Sequence, residues 1–372
     1  MMENFTPADE EETDNDYHKL IRAQNATQVT TDDDKPFTTA EIREAIHALN
    51  KNKAPGEDRI TREILECAYH LLPKATNAMY NGCLRTACFP KIWKRAKLIP
   101  IVKPGKESCD DITKYRPISL INTAAKVLEK LLINRIMHHI HSNNLMSKNQ
   151  YGFTPQTSTV DAVMALKDYV QDSVNDGHYV AVISLDVKGA FDAAWWPGIM
   201  ESLRNLRCPG NLYRLSGSYF SERTAFLMMK NCIVQKKISK GCPQGSASGP
   251  GFWNLLYNSL LLQVEYTKHT KVIAYADDLM ILVKGKTQIE LENYANIETQ
   301  KVAKWARNNK MSFNDQKSKV TIITKKRPKN RRDFKIFLNN KKLQQEDTIK
   351  YLGITIDRRF NFNQHIDNIT GK

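Results

Sequence analysis

The chain has 372 residues, 41% hydrophobic and 26% charged, enough apolar residues for one large domain or two to three subdomains, which excludes a mostly disordered or fibrous chain. Lys and Arg outnumber Asp and Glu by 55 to 40, a net +15, so a polyanion such as nucleic acid or an anionic membrane surface is the partner to expect. No run approaches the roughly 18 uncharged apolar residues of a spanning helix and the acidic start is unlike a signal peptide, so the expectation is an intracellular protein with no membrane role, in nucleus and cytoplasm.

Residues 1–34 hold ten acids against Lys19 and Arg22, a net −8 that leaves +23 for the remainder. Residues 1–36 are therefore expected to be a disordered leader or linker that nucleic acid repels. Thr38-x-x-Glu41 is a capping box, and Ile42, Ile46 and Leu49 follow at helical spacing before the turn-rich stretch 50–56. Residues 85–106 then carry seven basic side chains and no acid, interleaved with Phe89 and Trp93; a second basic run, 325–335, holds seven against Asp333. Either would also serve as a solvated face, but in so basic a chain phosphate contact is the better reading for at least one.

Helices are expected over residues 122–141, with Val127, Leu128, Leu131, Leu132 and Ile136 on one face, and over 159–175, ended by Gly177. Residues 179–185 form a β-rich run, and 271–274 and 279–283 are apolar strands joined through Tyr275-Ala276-Asp277-Asp278. A Thr287-x-x-Glu290 box opens a helix to residue 308, and shorter strands follow at 320–324, 334–338 and 349–356. Helices mixed with hairpin-connected strands give an α+β fold with an antiparallel sheet. The seven cysteines (67, 83, 88, 109, 208, 232 and 242) are irregularly spaced, lack a C-x-x-C pair and read as reduced thiols. His138, His139 and His141 have no further ligand at zinc spacing and read as structural; Trp195 and Trp196 read as core.

Asp186 ends an apolar strand, and Asp277 and Asp278 sit at a hairpin tip. Clustered carboxylates repel one another unless a cation sits between them. Oxygen donors select Mg²⁺ or Mn²⁺, and two such ions about 3.5 to 4 Å apart stabilise both oxygens of an in-line phosphoryl displacement. Taken alone, the Asp-Asp pair reads more readily as a tight turn.

The surrounding motifs change that weighing. Asn52-Lys53-Ala54-Pro55-Gly56-Glu57-Asp58, the segment from Lys97 to Lys106, Tyr115-Arg116-Pro117-Ile118-Ser119-Leu120 and Gln150-Tyr151-Gly152-Phe153 stand in one order ahead of Ser184-Leu185-Asp186 with Ala190-Phe191-Asp192, Gly241-Cys242-Pro243-Gln244-Gly245-Ser246 and Tyr275-Ala276-Asp277-Asp278. Together they resemble the reverse transcriptase domain of a non-LTR (LINE-type) retrotransposon polyprotein over most of the chain. Ala194-Trp195-Trp196-Pro197-Gly198-Ile199 looks like the type-1 elements that insert into arthropod ribosomal DNA.

The resemblance implies a right-hand polymerase: fingers and N-terminal extension over 37–178, palm over 179–357 with fingers insertions, and only the start of a thumb, or a truncated tail, in 358–372. It implies an enzyme that copies an RNA template into DNA from a DNA primer, using deoxynucleoside triphosphates. Asp186 and Asp277 would hold Mg²⁺ or Mn²⁺, with Asp278 completing the cluster. Phe191 would crowd a ribose 2′-hydroxyl; Gln244 and Gly245 would pack on the nascent pair; Lys317 would act as an acid toward pyrophosphate; and Tyr351, Leu352 and Gly353 would form a primer grip. Lys103 and Arg116, in the first basic stretch or just after it, are the candidates for the triphosphate, one as a point charge and one as a fork. Each has a plainer reading, as a core aromatic, a turn, a solvated lysine or a strand with a glycine bulge. Polyproteins of this family carry an endonuclease before the polymerase and further residues after it, so a fragment is expected. The rival readings are another template-directed polymerase, such as a group II intron-type reverse transcriptase or a viral RNA polymerase, and an inert RNA-binding fragment.

Overall fold

A computed structural model describes residues 2–103, 105, 111–229, 232–264, 267–325 and 333–371. Most of the second basic run and Cys109 lie outside them. The other six cysteines are all free thiols. Among the described residues no helix is long and apolar enough to cross a membrane.

The chain folds as two compact units, each discontinuous in sequence: residues 1–146 with 191–256, and residues 147–190 with 257–372. This differs from the consecutive blocks 37–178 and 179–357, because the strand Tyr179–Asp186 pairs with Asp278–Gly285 and Lys319–Ile323, far downstream, while residues 191–256 return to the first unit.

The first unit is built on a four-stranded mixed sheet in the order Tyr115–Leu120, Arg95–Val102, Thr224–Met229, Cys232–Lys237, whose central pair is parallel. The helix Thr123–Ser142 runs through its interior with Leu128, Leu132, Ile136 and Ile140 fully buried, against the helices Thr39–His47 and Gly210–Phe220. The box at Thr38 forms as expected, with the Glu41 amide donating to Thr38 Oγ1 at 3.2 Å and the Thr38 amide donating to Glu41 Oε2 at 2.8 Å. Trp195 and Trp196 are buried, and the Trp196 indole N–H donates to the Gly241 carbonyl at 2.8 Å.

The expectation of a disordered leader is corrected here. Met2 and Phe5 bury against Leu98, Ala225 and Leu227, and Asp16–Ala26 is a helix with an Asn15 capping box. Several of its acids are ion-paired: Arg22 pairs with Asp9 and Asp14, both at 2.6 Å, Arg135 with Asp34 and Arg214 with Asp33. Counting charge along the leader could not reveal partners that arrive from residues 135 to 214.

The second unit carries a five-stranded sheet in the order Gln344–Gln345, Lys319–Ile323, Tyr179–Asp186, Asp278–Gly285, Thr270–Tyr275, antiparallel except at its first pair. Tyr179 to Ile183 are buried at every position, so both faces of the sheet are covered. The helix Thr159–Asn175 packs Ala162, Leu166 and Val170 on Val180, Val182, Met280 and Leu282, and Gln288–Asn308 also packs on the central strands. The single strand expected over 349–356 is a hairpin, Thr348–Tyr351 paired with Ile354–Asp357, because Leu352 (φ +46°) and Gly353 (φ +84°) turn the chain. The last residues form one short helix, Asn363–Thr370.

Candidate active site

The acidic residues are placed by register. Tyr179–Asp186 is apolar through Ile183, and pairing with Asp278–Gly285 sets Asp186 directly opposite Asp278. Tyr275 also pairs with Asp278, which leaves Ala276 and Asp277 as a two-residue turn whose first residue is left-handed, φ +57°. Three carboxylates thus gather at one end of the sheet. Asp278 is exposed as a residue, yet its carboxyl is pushed up to about 6, first by desolvation and then by the charges of Asp277 and Asp186.

Residues 312–318 run beside Asp186. The Lys188 amide donates to Ser312 O at 2.8 Å, the Asn314 amide to Asp186 O at 2.8 Å, and the Asp186 amide to Ser318 Oγ at 3.3 Å. This brings the exposed Lys317 ammonium to 3.5 Å from Asp186 Oδ2. The carboxylates are hard oxygen donors whose mutual repulsion a dication would relieve, so the donor set suits Mg²⁺ or Mn²⁺. Among the described residues no three such groups already converge as a formed ligand cage.

Tyr351 lies in the core at 3% exposure, and its hydroxyl has no hydrogen-bond partner among the described residues. It feels the Asp278 charge, which, after burial, raises its own pKa. Of the three residues expected to grip primer, Leu352 and Gly353 form the accessible turn and Tyr351 supports it.

The remaining candidates belong to the first unit. The Ser119 amide donates to Gln244 O at 2.7 Å, and a Cβ at Gly245 (φ +106°) would stand 2.9 Å from Ser119 O. The close approach that requires glycine is therefore to the chain's own strand Tyr115–Leu120. Arg116 is exposed on that strand, opposite Ile101. Lys103 is half-buried, and its amide donates to Lys114 O at 2.8 Å. Phe191 is half-buried with its ring 5.3 Å from that of Trp253, and its carbonyl accepts from the Cys242 amide at 2.7 Å.

Asp192, which follows Phe191, has no role legible in the sequence but has side-chain partners in the first unit. Burial pushes its carboxyl up to about 6, against the pull of a hydrogen bond with the Gln244 side chain and the charge of Lys103. A carboxyl raised above its unfolded value stabilises the fold fully only below the unfolded pKa, near 4, and that contribution is lost as pH rises through about 6. Asp192→Asn, which keeps the size and a hydrogen-bonding group, is expected to gain about 2 kcal/mol over the parent at pH 8 and nothing at pH 4, read by urea unfolding at both pH values. Equal effects at both would show that Asp192 does not titrate in this range.

Residues 101–356 match the family described as reverse transcriptase (RNA-dependent DNA polymerase). The chain belongs to that family. The matched span takes in both carboxylate-bearing strands and every candidate residue named above. Among curated proteins, the chain is 30% identical over 332 residues to the retrovirus-related Pol polyprotein from type-1 retrotransposable element R1 of Bradysia coprophila, covering 89% of this chain and 32% of that protein. It is 29% identical over 342 residues to the RNA-directed DNA polymerase from mobile element jockey of Drosophila melanogaster, covering 89% and 36%. It is 29% identical over 341 residues to the probable RNA-directed DNA polymerase from transposon BS of the same species, covering 90% and 37%. These relatives are non-LTR retrotransposon polymerases, and the chain spans about a third of their length.

Proposed function

We propose that this reverse transcriptase domain copies a retrotransposon RNA into DNA from a DNA primer. The observation that carries the reading is the register that brings Asp186 opposite Asp278, with Asp277 in the adjoining turn, inside the span matched to the family. In this reading the five-stranded sheet is the palm of a right-hand polymerase and the unit built on the four-stranded sheet supplies the fingers.

Asp186 and Asp277 hold Mg²⁺, with Mn²⁺ as a substitute, and Asp278 completes the acidic end of the sheet. When bound, the metal supplies charge neutralisation for the attacking 3′-hydroxyl and the leaving pyrophosphate. Lys317 is placed by the 312–318 segment to keep its ammonium at Asp186, from where it meets phosphate charge. Lys103 and Arg116 bind the triphosphate of the incoming nucleotide, and Gln244, oriented by Asp192 and by its backbone bond to Ser119, meets the nascent pair. Leu352 and Gly353 contact the primer. The excess of basic residues attracts template and primer phosphates and makes binding salt-dependent.

Phe191, supported from behind by Trp253, sets the sugar preference. Phe191→Ala is expected to raise the incorporation of ribonucleotides relative to deoxynucleotides by about tenfold or more, read as the ratio of kcat/KM values for UTP and dTTP. An unchanged ratio would return Phe191 to a packing role.

The function itself is tested by primer extension on poly(rA) with an oligo(dT) primer and dTTP at low salt with Mg²⁺ or Mn²⁺. Metal-dependent extension is expected. A protein that binds the duplex in a salt-sensitive way but never extends it would favour an inert RNA-binding domain.

A further inference from the structure

The string Gln150-Tyr151-Gly152-Phe153 has no part in the chemistry above, yet it runs beside the acidic hairpin. The Ala274 amide donates to Asn149 O and the Tyr151 amide to Ala274 O, both at 2.8 Å, so residues 149–151 continue the sheet beyond the strand Thr270–Tyr275 in a parallel bridge. From there the Gln150 side chain, 2% exposed, reaches the turn. Its Oε1 accepts from the Ala276 amide at 3.2 Å and from the Gly152 amide at 2.9 Å, and its Nε2 donates to Ala276 O at 3.3 Å. One amide group therefore engages both backbone polar groups of the residue preceding Asp277.

Ala276 needs such a partner. At φ +57° an L-residue with a Cβ gives up of order 1–2 kcal/mol, and the surrounding structure must over-determine that conformation for it to persist. Gly152 closes the arrangement from the other side. A Cβ there would lie 2.0 Å from the Ala276 nitrogen and 2.8 Å from its Cα, so only glycine lets the 150–152 backbone lie flat on the turn. Without the clamp, the turn would relax toward an ordinary conformation and rotate the Cα–Cβ bonds of Asp277 and Asp278. A misplacement of about 1 Å in such groups costs around 10²-fold in rate.

We propose that Gln150, seated through Gly152, is a positioning residue that holds Ala276 left-handed and thereby aims the Asp277 and Asp278 carboxylates at the divalent cation. The inference rests on the metal reading under Proposed function.

The test compares the wild type, Gln150→Met and Asp277→Asn as the full chain, by Mn²⁺ calorimetry, primer-extension kinetics, primer–template anisotropy and thermal melting. Gln150→Met keeps the length and apolar stem but removes all three hydrogen bonds. It is expected to melt cooperatively, bind primer–template within about twofold of wild type, bind Mn²⁺ about tenfold or more weakly, and lose about tenfold or more in kcat with little change in KM for dTTP. A side chain that merely stabilised the fold would lower melting temperature and duplex binding together and spare Mn²⁺ affinity in the folded protein. Wild-type Mn²⁺ affinity and kcat in folded Gln150→Met would therefore overturn the proposal. Should that variant not fold, Gln150→Asn, which draws the amide back by one methylene, takes its place under the same criterion. A wild type that binds no Mn²⁺, or binding unaltered in Asp277→Asn, would instead remove the metal reading and the inference with it.

Discussion

Asp277→Asn is expected to lower metal-dependent primer extension by about 10³-fold while leaving the protein folded, with a melting temperature equal to or above that of the parent. The two halves of this expectation have one cause. Asp277 stands in a two-residue turn beside Asp278, which is itself opposite Asp186, and the repulsion among them shows in the raised Asp278 carboxyl. Replacing one carboxylate by an amide of the same shape removes that repulsion and preserves the turn. It also removes a hard anionic ligand, and losing several kcal/mol of charge stabilisation at a phosphoryl centre corresponds to about three decades in rate. Primer extension and thermal melting are to be measured on the same preparation. Extension at the parental rate would show that Asp277 does not hold the metal, whereas loss of both activity and cooperative melting would locate the effect in the fold.

Arg22→Met is expected to destabilise the chain by about 3 kcal/mol at pH 7 and to expose residues 1–34 to proteolysis. Arg22 bridges Asp9 and Asp14, whose side chains are 3% and 4% exposed, and Asp9 also accepts the Trp195 indole N–H at 3.0 Å. Removing the cation takes the guanidinium charge from two nearly buried carboxylates, the costly way to break a buried ion pair. Methionine keeps an apolar stem but removes the guanidinium, whose Cζ stands 5.6 Å from the Trp195 ring centroid, so the loss reports on the ion pairs and this cation–π contact together. Urea unfolding at pH 7 measures it, and moderate salt should change the result little, since buried pairs are weakly screened. A loss below about 1 kcal/mol, with the leader still resistant to protease, would mean that its other contacts, among them Met2, Phe5, Asp33 and Asp34, hold it without Arg22.

The parts of the fold legible in the sequence are those that local physics dictates. The Thr38-x-x-Glu41 and Thr287-x-x-Glu290 patterns marked helix starts, the first forming a full capping box and the second only the Thr287 hydroxyl cap, since Glu290 takes the Lys286 amide; the helix over 159–175 ends at Asn175 as its apolar spacing and Gly177 implied. The apolar, β-rich run from Tyr179 identified a strand, whose coverage on both faces only the structure shows, and the hairpin around Asp277 followed from two apolar runs with turn residues between them. In contrast, no element was read into residues 224–237, where Thr224–Met229 and Cys232–Lys237 form a hairpin whose outer strand is mostly exposed. The turn at Leu352 and Gly353 was visible only as a motif, since a glycine within a strand equally suggests a bulge.

For the site, residue types and their order along the chain were enough to point to the polymerase family and to bring forward three acids as candidates, because a carboxylate at a strand end and a Tyr-x-Asp-Asp hairpin are local features. What depended on tertiary structure was every contact with a partner distant in sequence: Asp192 with Gln244, Lys317 beside Asp186, Gln150 beside Ala276, and Asp34 and Asp33 of the acidic leader paired with Arg135 and Arg214. Hydrophobic periodicity and capping are written within a few residues and survive in any context. A hydrogen bond or an ion pair is a distance between two groups, and only folding decides which groups, tens to nearly two hundred residues apart, come within it.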